Sequence, residues 1–216
     1  MKHVLLFLPL CLFCSSLTVA QGDSTASAPK IAEVMLMTGV SIPYLPVDFR
    51  NHSMKGSYVG GGYSLTFEPG SIGYSTVSAT ADYSLFRFDG TGFINALDSV
   101  HQSIPGLTVT QRPVKAFTLM LNYRGTFTSF SSSVSPYFLI GVGYMFLSVP
   151  TTEAAPDTLL NVDGFNKSAV AWSFGIGFDV PINETAGVFV QGKSTLGVMD
   201  RTRQYFPVVI GVRYRL

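Results

Sequence analysis

Residues 168–180 read SAVAWSFGIGFDV. Every second position from Ser168 gives Val170, Trp172, Phe174, Ile176, Phe178 and Val180; the positions between are Ala169, Ala171, Ser173, Gly175, Gly177 and Asp179. Successive side chains of a strand point to opposite faces, so a period of two puts bulk on one side and almost none on the other. A strand covering a soluble core also alternates, but its outer face ordinarily carries Lys, Glu and Thr rather than glycine and alanine. Which medium meets the bulky face depends on whether the rest of the chain repeats the pattern.

It does. Period-two alternation marks eight candidate strands, roughly 31–43, 57–68, 74–88, 115–127, 136–149, 168–180, 187–198 and 205–216. In the fourth, Phe117, Leu119, Leu121, Tyr123 and Phe127 oppose Ala116, Thr118, Met120, Asn122, Arg124 and Thr126. In the fifth, Phe138, Ile140, Val142, Tyr144 and Phe146 oppose Tyr137, Leu139, Gly141, Gly143 and Met145. The first and seventh are less regular, and Gly192 with Ser194 dilutes the apolar face of the seventh. Connections alternate as well: of those after the first, third, fifth and seventh strands, 44–56, 89–114 and 150–167 are long and 199–204 is short, whereas 69–73, 128–135 and 181–186 are all short. Short turns at one end and longer loops at the other are the pattern of a membrane barrel. A strand such as 115–127, rising about 3.3 Å per residue at a tilt of about 40°, covers the ~25 Å apolar band. Phe67, Phe127, Phe178 and Tyr214 fall toward the short-turn end and Tyr44 and Phe88 toward the other, as interfacial aromatic girdles do.

Composition points the same way. Only 12% of residues are charged, about half the share usual in a soluble domain. The opening MKHVLLFLPLCLFCSSLTVA reads as a secretory signal peptide over residues 1–20, with Lys2 and His3 ahead of an apolar stretch and a small-residue exit at Ala20. Cys11 follows Leu10 and Cys14 follows Phe13, which is not lipoprotein context, and both cysteines leave with the leader. The mature chain is therefore expected to lack disulfides and thiol chemistry. Fourteen Lys and Arg stand against thirteen Asp and Glu, and removal of Lys2 balances them. No basic patch suggests nucleic acid. Past the leader, no run reaches the ~20 apolar residues of a spanning helix. Residues 21–30, QGDSTASAPK, read as a short periplasmic lead-in, and 31–216 as the barrel domain.

On segments such as SPYFLIGVGYMFLS and the ending PVVIGVRYRL, the chain resembles the small outer-membrane β-barrel superfamily of Gram-negative bacteria, of the OmpA-like and PorT-like kind. The resemblance implies an all-β, eight-stranded antiparallel transmembrane barrel of up-and-down meander in the outer membrane, in contact with its lipid. It also implies that the barrel-assembly machinery reads the last strand through Val208, Ile210, Val212, Tyr214 and Leu216, the last standing where the family commonly has Phe or Trp.

With the bulky face toward lipid, Glu33, Glu68, Asp82, Arg124, Asp179, Lys193, Arg213 and Arg215 point into the lumen. Alternating strand direction puts Asp82 and Lys193 near mid-height and the others toward the short turns, where Glu33 could reach Arg213 or Arg215. A proton path or catalytic carboxylate pair is one reading. A balanced internal ion-pair network is the favoured one, because buried charges need partners and an eight-stranded lumen is just wide enough for side chains to fill.

No catalytic residue, metal ligand or cofactor is expected. His101 and Ser103 in VHQS have the His-x-Ser spacing of outer-membrane lipid A deacylases, but no Glu follows before Glu153 and Asp98 precedes within the same loop. A serine nucleophile needs a base and an acid that orients it. His52-Ser53 is weaker still. Gly60–Gly62 lack the Lys-Ser/Thr of a phosphate loop, and Asn183-Glu184-Thr185 matches a glycosylation acceptor without meaning in a bacterial periplasm. The competing class is a soluble lipocalin-like barrel with an apolar ligand inside and polar residues outside. On the membrane reading the loops 89–114 and 150–167 carry function, in envelope structure, adhesion or secretion support, toward a partner the sequence does not identify.

Overall fold

The computed structural model describes residues 31–45, 54–70, 73–99, 106–127, 133–155, 161–199 and 202–216; the leader and lead-in lie outside them. Elements follow in the order β1 (Ile31–Leu45), β2 (Gly56–Gly70), β3 (Gly73–Phe86), α1 (Gly90–Ser99), β4 (Thr108–Gln111), β5 (Val114–Thr126), β6 (Ser135–Val149), β7 (Thr152–Ala155), β8 (Phe165–Pro181), β9 (Ala186–Gly197) and β10 (Arg203–Arg215). Eight strands close into an antiparallel barrel in the order β1-β10-β9-β8-β6-β5-β3-β2, while β4 and β7 form a separate two-stranded sheet. These eight are the segments that alternation marks, displaced by at most a few residues. At the seam Glu33 lies opposite Arg215 and Val40 opposite Val208. The Leu216 amide donates to the Ala32 carbonyl at 2.9 Å and the Arg215 amide to Thr185 at 2.7 Å, so the last residues are tied into the wall. Closure leaves the barrel no sheet edge.

The polarity is that of a fold turned inside out. Leu36, Leu121, Ile176 and Ile210 are 64%, 56%, 68% and 54% exposed on the outer face, while Glu33, Asp82, Asp179 and Lys193 are buried at 2% or less inside. In β8, Val170, Phe174, Ile176, Phe178 and Val180 face out and Ala169, Ala171, Ser173, Gly177 and Asp179 are buried.

The inner face is less uniformly small than the Gly, Ser and Thr positions imply. Toward the loop end, Phe86, Val114, Met120, Met145, Leu147 and Tyr205 form one apolar cluster. Met35, Met37, Tyr58, Phe189 and Val209 form a second. Glycine ribs on some strands are what admit these side chains. A Cβ on Gly177 would strike the Tyr137 ring, and one on Gly211 the Phe189 ring. The small face of SAVAWSFGIGFDV thus seats bulk from neighbouring strands.

Short turns have local explanations. The Asn183 carboxamide oxygen accepts from the Ala186 amide at 2.7 Å, the Thr185 amide at 2.9 Å and the Thr185 hydroxyl at 3.0 Å. The residue that opens the glycosylation-like triplet is therefore the organiser of the β8–β9 turn. Gly73 begins β3 at φ +135°, where a Cβ would also meet the Thr126 carbonyl.

The long connections 89–114 and 150–167 are not simple loops. Helix α1 begins where Asp89 caps it: its carboxylate accepts from the Gly92 amide at 2.9 Å and its carbonyl from the Phe93 amide at 3.0 Å. Strand β4 pairs antiparallel with β7, Val109 opposite Ala154. Leu107, Val109 and Ala154 form a small core with Phe88, Phe93 and Ile94 packed on it. Phe88 accordingly belongs to this cap, its ring 6.0 Å from Phe93, and not to the outer girdle that its position suggests. Asp89→Ala is expected to weaken α1 by about 1 kcal/mol. Amide hydrogen exchange would then quicken at Gly92 and Phe93 with the wall strands unchanged.

Candidate functional site

Three guanidiniums and two carboxylates meet at the short-turn end of the lumen. Arg124 on β5 donates from Nη1 to Asp179 Oδ2 on β8 at 2.9 Å. Arg213 on β10 donates from Nη1 to Glu33 Oε1 on β1 at 2.9 Å, and its Nε stands 3.0 Å from Asp179 Oδ1. That second approach is an ion-pair distance without hydrogen-bond alignment. Arg215 Nε reaches Glu33 Oε1 at 3.3 Å and its Nη1 donates to the Glu184 carbonyl at 2.9 Å. The chain Arg124–Asp179–Arg213–Glu33–Arg215 thus links four strands by side chains alone.

Neutral groups complete it. The Ser64 hydroxyl donates to Glu33 Oε2 at 3.5 Å, Arg124 Nη2 to Thr76 at 3.4 Å, and the Arg124 guanidinium lies 5.0 Å from the Tyr137 ring centroid. Gly187 makes room: a Cβ there would meet the Arg213 guanidinium at 2.7–3.2 Å.

A separate pair lies higher. Lys193 Nζ on β9 reaches Asp82 Oδ2 on β3 at 2.6 Å, straight across the lumen. The Thr118 hydroxyl donates to the same oxygen at 3.4 Å, and the Lys193 ammonium sits 5.6 Å from the Tyr58 ring. Between these levels Asn122 donates to Thr80 at 3.1 Å and accepts from Ser173 at 3.2 Å. Of the eight charges that the alternation points inward, seven occupy the lumen in these pairs; the Glu68 side chain lies outside the described residues. The partner rings Tyr137 and Tyr58 carry no signal in sequence beyond their inward register.

Between the two charge levels the described side chains leave little open space. A cavity bordered by Met37, Thr80, Asn122, Arg124, Gln191 and Lys193 amounts to ≈20 Å³, room for about one water. Among the described residues no three His, Cys, Asp or Glu converge as a metal site would require. His52, Ser53, His101 and Ser103 lie outside the described residues. Of the terminal strand, Val208, Ile210, Val212, Tyr214 and Leu216 present one exposed apolar row, 38% to 74% accessible.

No protein-family model matches the chain, and no curated protein does. Among solved structures, a major outer membrane protein from Thermus thermophilus gives a TM-score of 0.52 at 9% identity over 85% of this chain and 99% of that one. Neisserial surface protein A gives 0.47 at 9% identity over 86% and 96%. The outer membrane enzyme PagL gives 0.44 at 10% identity over 85% and 99%. At such identity the likeness to the Thermus protein is one of fold alone, a closed antiparallel barrel.

Breaking a buried pair strands its partner charge. Arg213→Met, which leaves both Glu33 and Asp179 short of a cation, is expected to cost about 3–5 kcal/mol. Arg215→Met should cost less, since that side chain is 24% accessible. Urea unfolding of the two variants refolded in lipid vesicles checks the order.

Proposed function

We propose that the chain is a non-enzymatic integral protein of a Gram-negative outer membrane, with a plugged barrel as its anchor and the structured cap as its working surface. One observation carries this reading: charged side chains are paired inside the barrel, while the exposed positions of its outer wall are mostly large apolar side chains. A lipocalin-like soluble barrel needs the opposite arrangement, apolar within and polar without. Leu119, Leu121, Ile140, Val142, Phe174 and Ile176, each at least 38% exposed, would face water in a soluble protein, where patches of that extent do not persist. In lipid the same residues are at home, and closure satisfies every strand's backbone groups internally.

Sidedness follows the connections, short turns toward the periplasm and the cap toward the exterior. The filled lumen argues against solute passage, and each described lumen carboxylate is committed to a cationic side chain within 3.3 Å. An enzyme of the PagL kind would need its own nucleophile, base and orienting acid; the sequence supplies His101 and Ser103 without a matching acid. The outward row Val208 to Leu216 fits a strand read by the barrel-assembly machinery. An envelope-structural, adhesive or secretion-supporting role falls to the segments 89–114 and 150–167, the last as the PorT-like resemblance implies. Packed together by β4 and β7, they offer a shaped surface to a partner, a better basis for recognition than separate flexible loops.

Heat-modifiability tests the anchor. Residues 21–216 refolded in detergent should run faster on a gel unboiled than boiled, with β-type circular dichroism. Solubility without detergent and no shift would sink the membrane reading. A second variant separates the media. Leu121→Arg is expected to destabilise the folded barrel in vesicles by about 2–4 kcal/mol if that face meets lipid, and to have almost no effect if it meets water. Planar-bilayer conductance should stay at background, and a large stable conductance would overturn the plugged lumen.

A further inference from the structure

The end of β4 and the rims of β6 and β8 enclose an open cleft of ≈660 Å³ at the cap end of the barrel, a volume usual for small-molecule sites. Specific contacts hold its walls. The Gln111 carboxamide donates from Nε2 to the Pro150 carbonyl at 2.9 Å, tying the end of β4 to the chain that leaves β6. Thr152, at the start of β7, exchanges both backbone hydrogen bonds with Val162, at 2.9 and 3.1 Å. The Gly164 amide donates to the Thr151 hydroxyl at 3.3 Å, and a Cβ on Gly164 would stand 2.6 Å from the Val149 carbonyl oxygen. Glycine there lets the chain entering β8 close against the chain leaving β6. Phe165 completes this wall. It packs on the apolar cluster beneath the cap, and its ring lies 5.6 Å from the Lys167 ammonium and 5.9 Å from the Arg203 guanidinium.

A second set of side chains lines the same cleft without taking part in its construction. Thr110, Arg112, Glu153 and Asn166 are all exposed there, and among the described residues their side chains make no hydrogen bond or ion pair. The guanidinium only donates, the carboxylate only accepts, and the hydroxyl and carboxamide do both. One volume therefore meets donors and acceptors together, with one charge of each sign. We propose that the cleft binds a short neutral oligosaccharide, whose hydroxyls accept from Arg112, donate to Glu153 and bridge Thr110 to Asn166. The proposal rests on the reading of the cap as the working surface and gives that surface a ligand class.

Charge and hydrogen-bonding capacity select the class. Glu153 repels a polyanion and Arg112 a polycation, which leaves a neutral ligand. The mostly polar lining would lose its water to a hydrocarbon chain and gain no partners in return. An aromatic ligand needs a ring to stack on, and Phe165 is already taken up by two cations and the core behind it. A peptide sets its polar groups along a single backbone line and relies on pockets for its side chains. A sugar carries a hydroxyl on most of its carbons, each able to donate and accept at once, and so suits polar groups of every kind spread around one cleft. Solvation alone would account for each exposed side chain, but not for a braced cleft that gathers them.

The test uses the mature chain, residues 21–216, refolded in lauryldimethylamine oxide, a detergent with no sugar headgroup. Labelled at its N-terminus, it is applied to an array of neutral oligosaccharides of glucose, galactose, mannose and N-acetylglucosamine, beside sulfated and uronate-bearing saccharides and short peptides. Wild-type protein should bind at least one neutral saccharide, and titration calorimetry with that saccharide should give a Kd below about 1 mM. Arg112→Ala and Glu153→Ala should each weaken it at least about tenfold, while gel mobility still shifts on heating. Glu153→Gln should keep more of the affinity than Glu153→Ala, because a carboxamide oxygen still accepts from a hydroxyl. Equal loss in the two would mean that the site reads charge, and would overturn the neutral ligand. Preference for the acidic saccharides or for the peptides would overturn it as well. A barrel that shifts on heating and binds no saccharide sinks this site and leaves the membrane reading standing; a chain that neither folds into detergent nor shifts removes both.

Discussion

Backbone N–H and C=O groups along a sheet edge must find partners, and in the membrane setting proposed for this wall no solvent would supply them. In this molecule the requirement falls on the seam between β1 and β10, the first and last strands of the wall. Their pairing is secured twice, by the backbone ladder and by Arg213 and Arg215 converging on Glu33. The same Arg213 turns to Asp179 on β8 and so ties the seam to strands that do not touch β1. A wall joined only between neighbours is thereby braced across its interior.

The interior is layered. Charges gather near the short turns, the Asp82–Lys193 pair crosses higher, and apolar side chains gather beneath the cap. Each layer uses the low dielectric differently. In the first it strengthens ion pairs whose desolvation would otherwise dominate; in the last it is simply a hydrophobic core. Glycines set the boundary conditions for both, since Gly187 admits the Arg213 guanidinium and Gly177 and Gly211 admit rings.

The wall was legible in the sequence because alternation reports a side chain's face directly, and segments such as 115–127 and 136–149 carry it almost without error. Face and height also placed Glu33 near Arg213 and Arg215, since the closed meander makes their strands neighbours. Pairing across the lumen was not legible. Arg124 with Asp179, and Asp82 with Lys193, join strands that are not adjacent, and a period of two says nothing about angle around the barrel. Helix α1 escaped for another reason: GTGFINALDS begins with two glycines in three residues and spans only ten. Its order comes from the Asp89 cap and from packing on β4 and β7, which no local pattern announces. Phe88 followed it out of the girdle.

The pairing of β4 with β7 also has a consequence for descent. Surface loops of a barrel ordinarily lengthen and shorten freely, each on its own account. Here an insertion within Thr108–Gln111 or Thr152–Ala155 would slide one strand of the small sheet past the other and turn Val109 or Ala154 out of their shared core. The two connections are therefore bound to vary as a pair, inheriting compensating changes or none.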